Sequence, residues 1–212
     1  MPETGSGPIM SNSSSAERSA SRRGALAALA LLPAALSPFP ARAQASDRLG
    51  VPGPIVFGDR PFALAWSAQP HAGYVKQEYL PAGQALPSYE TMLLVEVLDG
   101  AADVKAAVSA QVGSLQPRRG KDPIFNMQVL QKESAGEVLL DFLISGRSAD
   151  GRSVAEWNGY RYLPLPGRGV MLFAVSHRGY GDGIKPFLTG LKQLRPAEIS
   201  RLAAFPVPRP RG

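Results

Sequence analysis

The sequence predicts an α+β domain, an antiparallel β-sheet with one internal helix and a C-terminal helix packed on it. Three observations lead there. Apolar segments of strand length recur at hairpin spacing between Phe62 and Ser176. The hydrophobic period changes to that of a helix between Asp103 and Leu115, and again after Gly183. Hydrophobic residues make up 44% of the 212 and charged residues 19%, which is the composition of a folded globule and not of a disordered chain.

The elements follow in order. Ile55-Val56-Phe57 is a short strand inside a Gly/Pro-rich lead-in, residues 46–58. The domain proper is expected over 59–203. Phe62–Trp66 is a strand closed by Gln69-Pro70, and Tyr74–Leu80 alternates as a second. Thr91–Leu98 is strongly apolar and stops at Asp99-Gly100. Val104, Ala107, Val108, Gln111, Val112 and Leu115 then fall at three- to four-residue spacing, the stripe of an amphipathic helix. Asp99 or Asp103 can cap its start, and Pro117 ends it.

Four strands follow at Ile124–Gln131, Val138–Ser145, Val154–Leu163 and Val170–Ser176, with Asp150-Gly151 as a hairpin signal. The last of them is apolar on both faces and is expected at the centre of the sheet. Ile184, Phe187, Leu188, Leu191 and Leu194 mark the C-terminal helix. Asp182 is its expected N-cap. Pro196 is expected to break it, leaving a short helix over 197–203. Residues 204–212 read as an extended Pro/Arg-rich tail.

Residues 1–45 carry the marks of an export signal. Arg22-Arg23 precede an apolar run from Ala25 to Leu36, and Ala43-Gln44-Ala45 is a small-residue cleavage site that leaves Ser46 first. The arginine pair is similar to the twin-arginine signal of bacteria. An apolar run of about 12 residues is shorter than the ~18 that span a bilayer. The expected address is therefore periplasmic or secreted, with no transmembrane span in the mature chain. The net charge of +6 comes mostly from the two ends, because residues 46–199 hold 16 basic and 15 acidic side chains. A nucleic-acid partner, which needs a basic stripe, is not expected.

Absent cysteine rules out a disulfide frame, a thiol nucleophile and thiolate metal sites. His71 and His177 are the only histidines, too few for a multi-histidine metal centre. There is no G-x-S-x-G elbow and no phosphate-binding glycine loop. Gly179-Tyr180-Gly181-Asp182-Gly183 precedes a helix but lacks the lysine and the spacing. No cofactor and no metal are expected.

What remains is a set of candidate binding residues. His177-Arg178 ends a buried strand, where a base and an anion-holding guanidinium can serve a site or can simply cap the strand. On the preceding strand Trp157, Gly159 and Arg161 share one face. Glu156, Asn158, Tyr160 and Tyr162 share the other, either lining a ligand cavity or packing under a helix. Glu78 can pair with His177 or Arg161 if their strands are neighbours. Gln116–Lys121 is a small basic loop, able to meet an acidic partner or simply to be solvated.

Gln77–Gln84 (QEYLPAGQ), Trp157–Tyr162 (WNGYRY) and Ser176–Tyr180 (SHRGY) resemble segments of small exported bacterial proteins with no agreed activity. The order of elements over roughly 60–205 resembles the PsbP-like superfamily. That resemblance implies a central antiparallel sheet covered by helices, a PsbP-like sandwich, serving as a non-enzymatic accessory or binding module.

The function expected is that of an exported, monomeric accessory or binding protein without catalysis, meeting a protein or a small molecule. Two alternatives stand beside it. One is a small hydrolase or isomerase using His177 with Glu78 or Tyr160, which requires His177, Arg178 and Glu78 to converge in one cavity. The other is an envelope-associated structural subunit acting through its tail or its basic loop.

Overall fold

In the computed structural model, residues 45–211 are described, apart from Ala102, Glu133 and Ser134. The export segment and its Arg22-Arg23 pair lie outside the described residues. The strands are β1 (Ile55–Phe57), β2 (Arg60–His71), β3 (Tyr74–Pro81), β4 (Thr91–Asp99), β5 (Asn126–Lys132), β6 (Glu137–Arg147), β7 (Ser153–Leu165) and β8 (Gly169–Tyr180). The helices are α1 (Val104–Leu115) and α2 (Ile184–Ala204). All eight strands join one antiparallel sheet in the order β1-β2-β3-β4-β8-β7-β6-β5.

This corrects the expected fold class. The chain does not form a PsbP-like, helix-packed α+β sandwich; it is mostly β and is built on one long sheet. α1 packs on β6, β7 and β8, and α2 packs on β7 and β8 from the other side. The helices therefore cover the centre of the sheet and not its whole width. The reason lies in β8. Val170, Met171, Leu172, Phe173, Ala174 and Val175 are all buried, which demands cover on both faces. β8 meets that demand by inserting between β4 and β7, while the segment carrying α1 takes the chain from β4 to the far edge. Tyr74–Pro81 and the long β2 then extend the sheet beyond either helix.

Several boundaries differ for local reasons. β2 runs through Pro70 to His71, because Pro70 sits where the β2–β3 register slips between Ala68 and His71 and no ladder bond is required of it. α2 is unbroken across Pro196. Packing fastens it on both sides of that residue, with Leu191 and Leu202 buried and Arg195 bonded to Asp141. Its N-cap is Gly183, and Asp182 lies in the 3-10 turn before it. Asp103 caps α1, its Oδ1 accepting from Ala106 N at 2.7 Å.

The lead-in and the tail both pack on the α2 face of the sheet. Leu49 and Val51 are buried, and Arg211 N donates to Leu49 O at 2.8 Å. Phe205 stacks on Phe173 with ring centroids 5.0 Å apart and meets Phe57 edge-on at 5.2 Å. Among the described residues, no helix is long and apolar enough to cross a membrane.

Candidate functional site

Strand parity divides the sequence-derived candidates between the two faces of the sheet. Trp157, Arg161 and His177 point to the α2 face, and Glu78, Tyr160, Tyr162 and Arg178 to the α1 face. On β7 the division follows the alternation expected from the sequence. His177 and Glu78 are thus separated by the sheet, and no cavity holds His177, Arg178 and Glu78 together.

On the α2 face Trp157 and Arg161 are engaged in holding α2, and His177 packs beneath it with Nε2 buried and without a hydrogen-bond partner. Trp157 Nε1 donates to Asp141 Oδ1 at 2.6 Å, and Arg195 Nε on α2 reaches the same carboxylate. His177 stacks on Trp157 at 5.6 Å, meets Thr91 Oγ1 through Nδ1 at 3.2 Å, and brings Nε2 within 3.6 Å of Glu198 Oε2. Arg161 forks onto Glu137 at 2.9 and 2.8 Å. Its remaining nitrogen donates to the carbonyls of Leu202 and Phe205 at 2.9 and 2.8 Å. A guanidinium there satisfies orphan carbonyls at the negative end of α2. Neither Arg161 nor His177 pairs with Glu78.

The α1 face carries a polar unit. Tyr74 OH donates to Glu96 Oε2 at 3.0 Å, and Lys76 Nζ lies 2.9 Å from Glu78 Oε1 and 3.8 Å from Glu96 Oε1. The register places Lys76 opposite Glu96, and Glu78 opposite the half-buried Trp66. Towards β7 and β8, Arg178 Nε donates to Glu156 Oε2 at 2.6 Å. The Arg178 guanidinium lies 4.0 Å from the centre of the Tyr89 ring, a cation–π contact. Asn158 Oδ1 accepts from Ser176 Oγ at 2.5 Å. Tyr160 and Tyr162 lie on the same face of β7 as Asn158.

Burial sets the protonation states. It pushes Glu96 above the usual carboxylate range, against the pull of Lys76 and of the Tyr74 hydrogen bond. For Lys76 burial works against the charge, but Glu96 and Glu78 outweigh it and hold the ammonium. Burial also raises Tyr74, Tyr89, Tyr160 and Tyr162, so all four phenols stay protonated. The negative field of Glu96 adds to that effect at Tyr74, Tyr160 and Tyr162. Burial opposes the charge on Arg178, and Glu156 more than restores it.

Three buried polar atoms on this face find no hydrogen-bond partner: Tyr89 OH, Asn158 Nδ2 and Gln111 Nε2 on α1. Lys76 and Glu78 are the part-exposed members of the unit, their side chains 22% and 14% exposed. The arrangement offers fixed donors, fixed carboxylates and aromatic rings. It holds no nucleophile set beside a base. Among the described residues, no three His, Asp or Glu side chains group to hold a metal.

Sequence reasoning passed over Trp66, Tyr74, Lys76, Tyr89, Glu96 and Gln111 as site residues. One signal was present. Glu96 is the only charge within the apolar run Met92–Leu98, and it has the same parity as the buried Met92 and Leu94. A carboxylate in that position needs partners, and its neighbours across the ladder supply them.

A protein-family model matches residues 49–207. Comparison with curated proteins and comparison with solved structures each find no match.

Proposed function

We propose that this chain, which belongs to the family matched over residues 49–207, is an exported binding protein of the cell envelope that acts without catalysis. The observation that carries this reading is the pair of buried, unpartnered groups Tyr89 OH and Asn158 Nδ2 on the same face of the sheet as the part-exposed Lys76 and Glu78. A buried polar group without a partner costs roughly 1–3 kcal/mol, and a ligand that supplies the missing bond recovers it. Export is supported by Arg22-Arg23, the apolar run after them and the Ala43-Gln44-Ala45 site. Absence of catalysis is supported by the sheet that separates His177 from Glu78. The tail, packed against Phe57 and Phe173 through Phe205, is engaged within the fold. That speaks against its use as a free arm for an envelope partner.

The test is native mass spectrometry of the protein purified from its own envelope, as wild type and as Glu78→Gln. The wild type should carry a bound mass that the variant largely loses. A bare wild-type chain, or a turnover abolished by His177→Ala, would overturn the reading.

A further inference from the structure

We propose that the side of the protein formed by α2, the lead-in and the tail docks on an anionic phospholipid surface. From the reading above it takes only the envelope address. The starting point is where the unmatched cations lie. Arg48 on the lead-in, Arg60 at the start of β2, Lys185 and Lys192 on α2, and Arg209 and Arg211 on the tail are all exposed. Among the described residues, none of the six takes part in an ion pair. They belong to one layer. Arg60 shares the strand parity of the buried Phe62 and so points to the α2 side. Arg201, near the end of α2, lies 5.8 Å from the centre of the Phe57 ring, and Phe57 is the register partner of Arg60. Arg211 N donates to Leu49 O, and a Cβ built on Gly50 would lie 2.7 Å from Arg211 Cβ, so the tail runs against the lead-in. Lys185 and Lys192 stand about two turns apart on one stripe of α2.

The charge is one-sided. The acids exposed in this layer are Asp47, Asp59 and Asp182. Asp47 is occupied, accepting from Leu49 N and Val51 N at 3.1 and 3.0 Å. Glu198, the one acid of α2, is buried beside Arg201 and His177. On the other face Lys76 is matched by Glu78 and Arg178 by Glu156, and α1 carries a single charge, Lys105, behind its Asp103 cap. The α2 side also lacks an apolar anchor. Val56 and Val129 are the large hydrophobic residues exposed among the described residues. Val56 lies between Ile55 and Phe57, which point into the α2-side core, and so points away from it. Val129 is paired with Leu140, a member of the α1-side core. Protein partners are held by aromatic and apolar anchors seated in pockets, and this side offers none. α2 alone is about 30 Å long, so the cations are spread over a broad surface and are not gathered around one small anion. Dispersed cations without an apolar anchor suit a sheet of anionic headgroups, to which each Lys or Arg near the surface adds attraction.

The test is sedimentation of the protein purified from its own envelope with vesicles of phosphatidylcholine containing about 30% phosphatidylglycerol. The protein should pellet with these vesicles and stay free of pure phosphatidylcholine vesicles. It should be released in ~1 M salt, where the screening length falls to about 3 Å. Lys185→Gln and Lys192→Gln should each weaken binding about fivefold, the share of one cation at the surface. Both side chains are exposed and outside the core, so the fold is retained. Lys105→Gln removes the same charge from the exposed side of α1 and should leave binding unchanged. An equal loss in Lys105→Gln would show that net charge and not this face is read, and would overturn the proposal. Equal pelleting with neutral vesicles would overturn it as well, and so would no pelleting with anionic ones. In the last case, capture of the protein on polyglutamate beads would put an acidic protein in the place of the lipid. None of these outcomes bears on the mass the envelope-purified protein carries, which tests the binding reading separately.

Discussion

Trp157 and Asp141 share a 2.6 Å hydrogen bond on the α2 face, and the same carboxylate receives Arg195 Nε at 2.9 and 2.8 Å. Asp141 thus ties a β7 indole to a helix far along the chain. Its side chain is 1% exposed, and Arg195 goes on to bond Asn126 Oδ1 at 2.7 Å on the edge strand β5. Deleting the acid leaves a buried indole N–H and a half-covered guanidinium without partners. Breaking such a pair from one side costs about 3–5 kcal/mol. Asp141→Ala should lower the unfolding free energy by about that amount in urea titration, and Asp141→Asn by less, since an amide oxygen still accepts from the indole. A loss below ~1 kcal/mol for Asp141→Ala would show that the triad does not fasten α2.

Two carboxylates should impose opposite pH dependences on stability. At Asp122 burial favours the neutral form, but bonds from Ser145 N, Ser145 Oγ, Ile124 N and Arg118 outweigh it and hold the acid below its ordinary 3.8. Its contribution is therefore full above 3.8 and is lost as pH falls through the depressed value. At Glu96 burial raises the acid above its ordinary 4.5, despite Lys76 and Tyr74. That contribution is full below 4.5 and is lost as pH rises through the elevated value. Denaturation across the carboxylate range should show Asp122→Asn with a flattened acid limb. Glu96→Gln should instead remove a decline on the less acidic side. Parallel curves for wild type and both variants would contradict these assignments.

The legible part of the fold was local, and what escaped was non-local. Alternation on β7 correctly separated Trp157 and Arg161 from Tyr160 and Tyr162, because side-chain parity along a strand depends on nothing else. The double burial of β8 was readable from its unbroken apolar run. Pairing order was not. Nothing in the sequence of β4 says that it meets β8 across the sheet, and so the breadth of the sheet and the short reach of the helices stayed hidden. The same gap hid the polar unit. Lys76, Glu96 and Tyr160 share one face of the sheet only because β3, β4, β8 and β7 are consecutive neighbours. Pro196 failed as a helix breaker because packing on both sides of it outweighs one missing N–H.

Gly179 shows how a glycine that looks like loop chemistry can serve packing instead. In sequence it opens a glycine-rich stretch before a helix; in the fold it sits within β8, paired with Ala155. A Cβ built there would lie 2.6 Å from Phe187 Cβ and 2.8 Å from its Cγ, on the first turns of α2. Those atoms are close to the helix backbone and cannot swing away as a flexible tip would. α2 therefore lies against β8 only because the side chain is missing. Gly179→Ala should shift the start of α2 and cost about 1–3 kcal/mol, the usual penalty of overpacking. Gly146→Ala on β6, with open space around its Cβ position, is the control and should leave stability nearly unchanged. Hydrogen exchange would localise the effect, with faster exchange expected over 184–190 in the Gly179 variant alone. Equal stability of the two variants would show that the contact with Phe187 relaxes without cost and that the glycine at 179 has another reason.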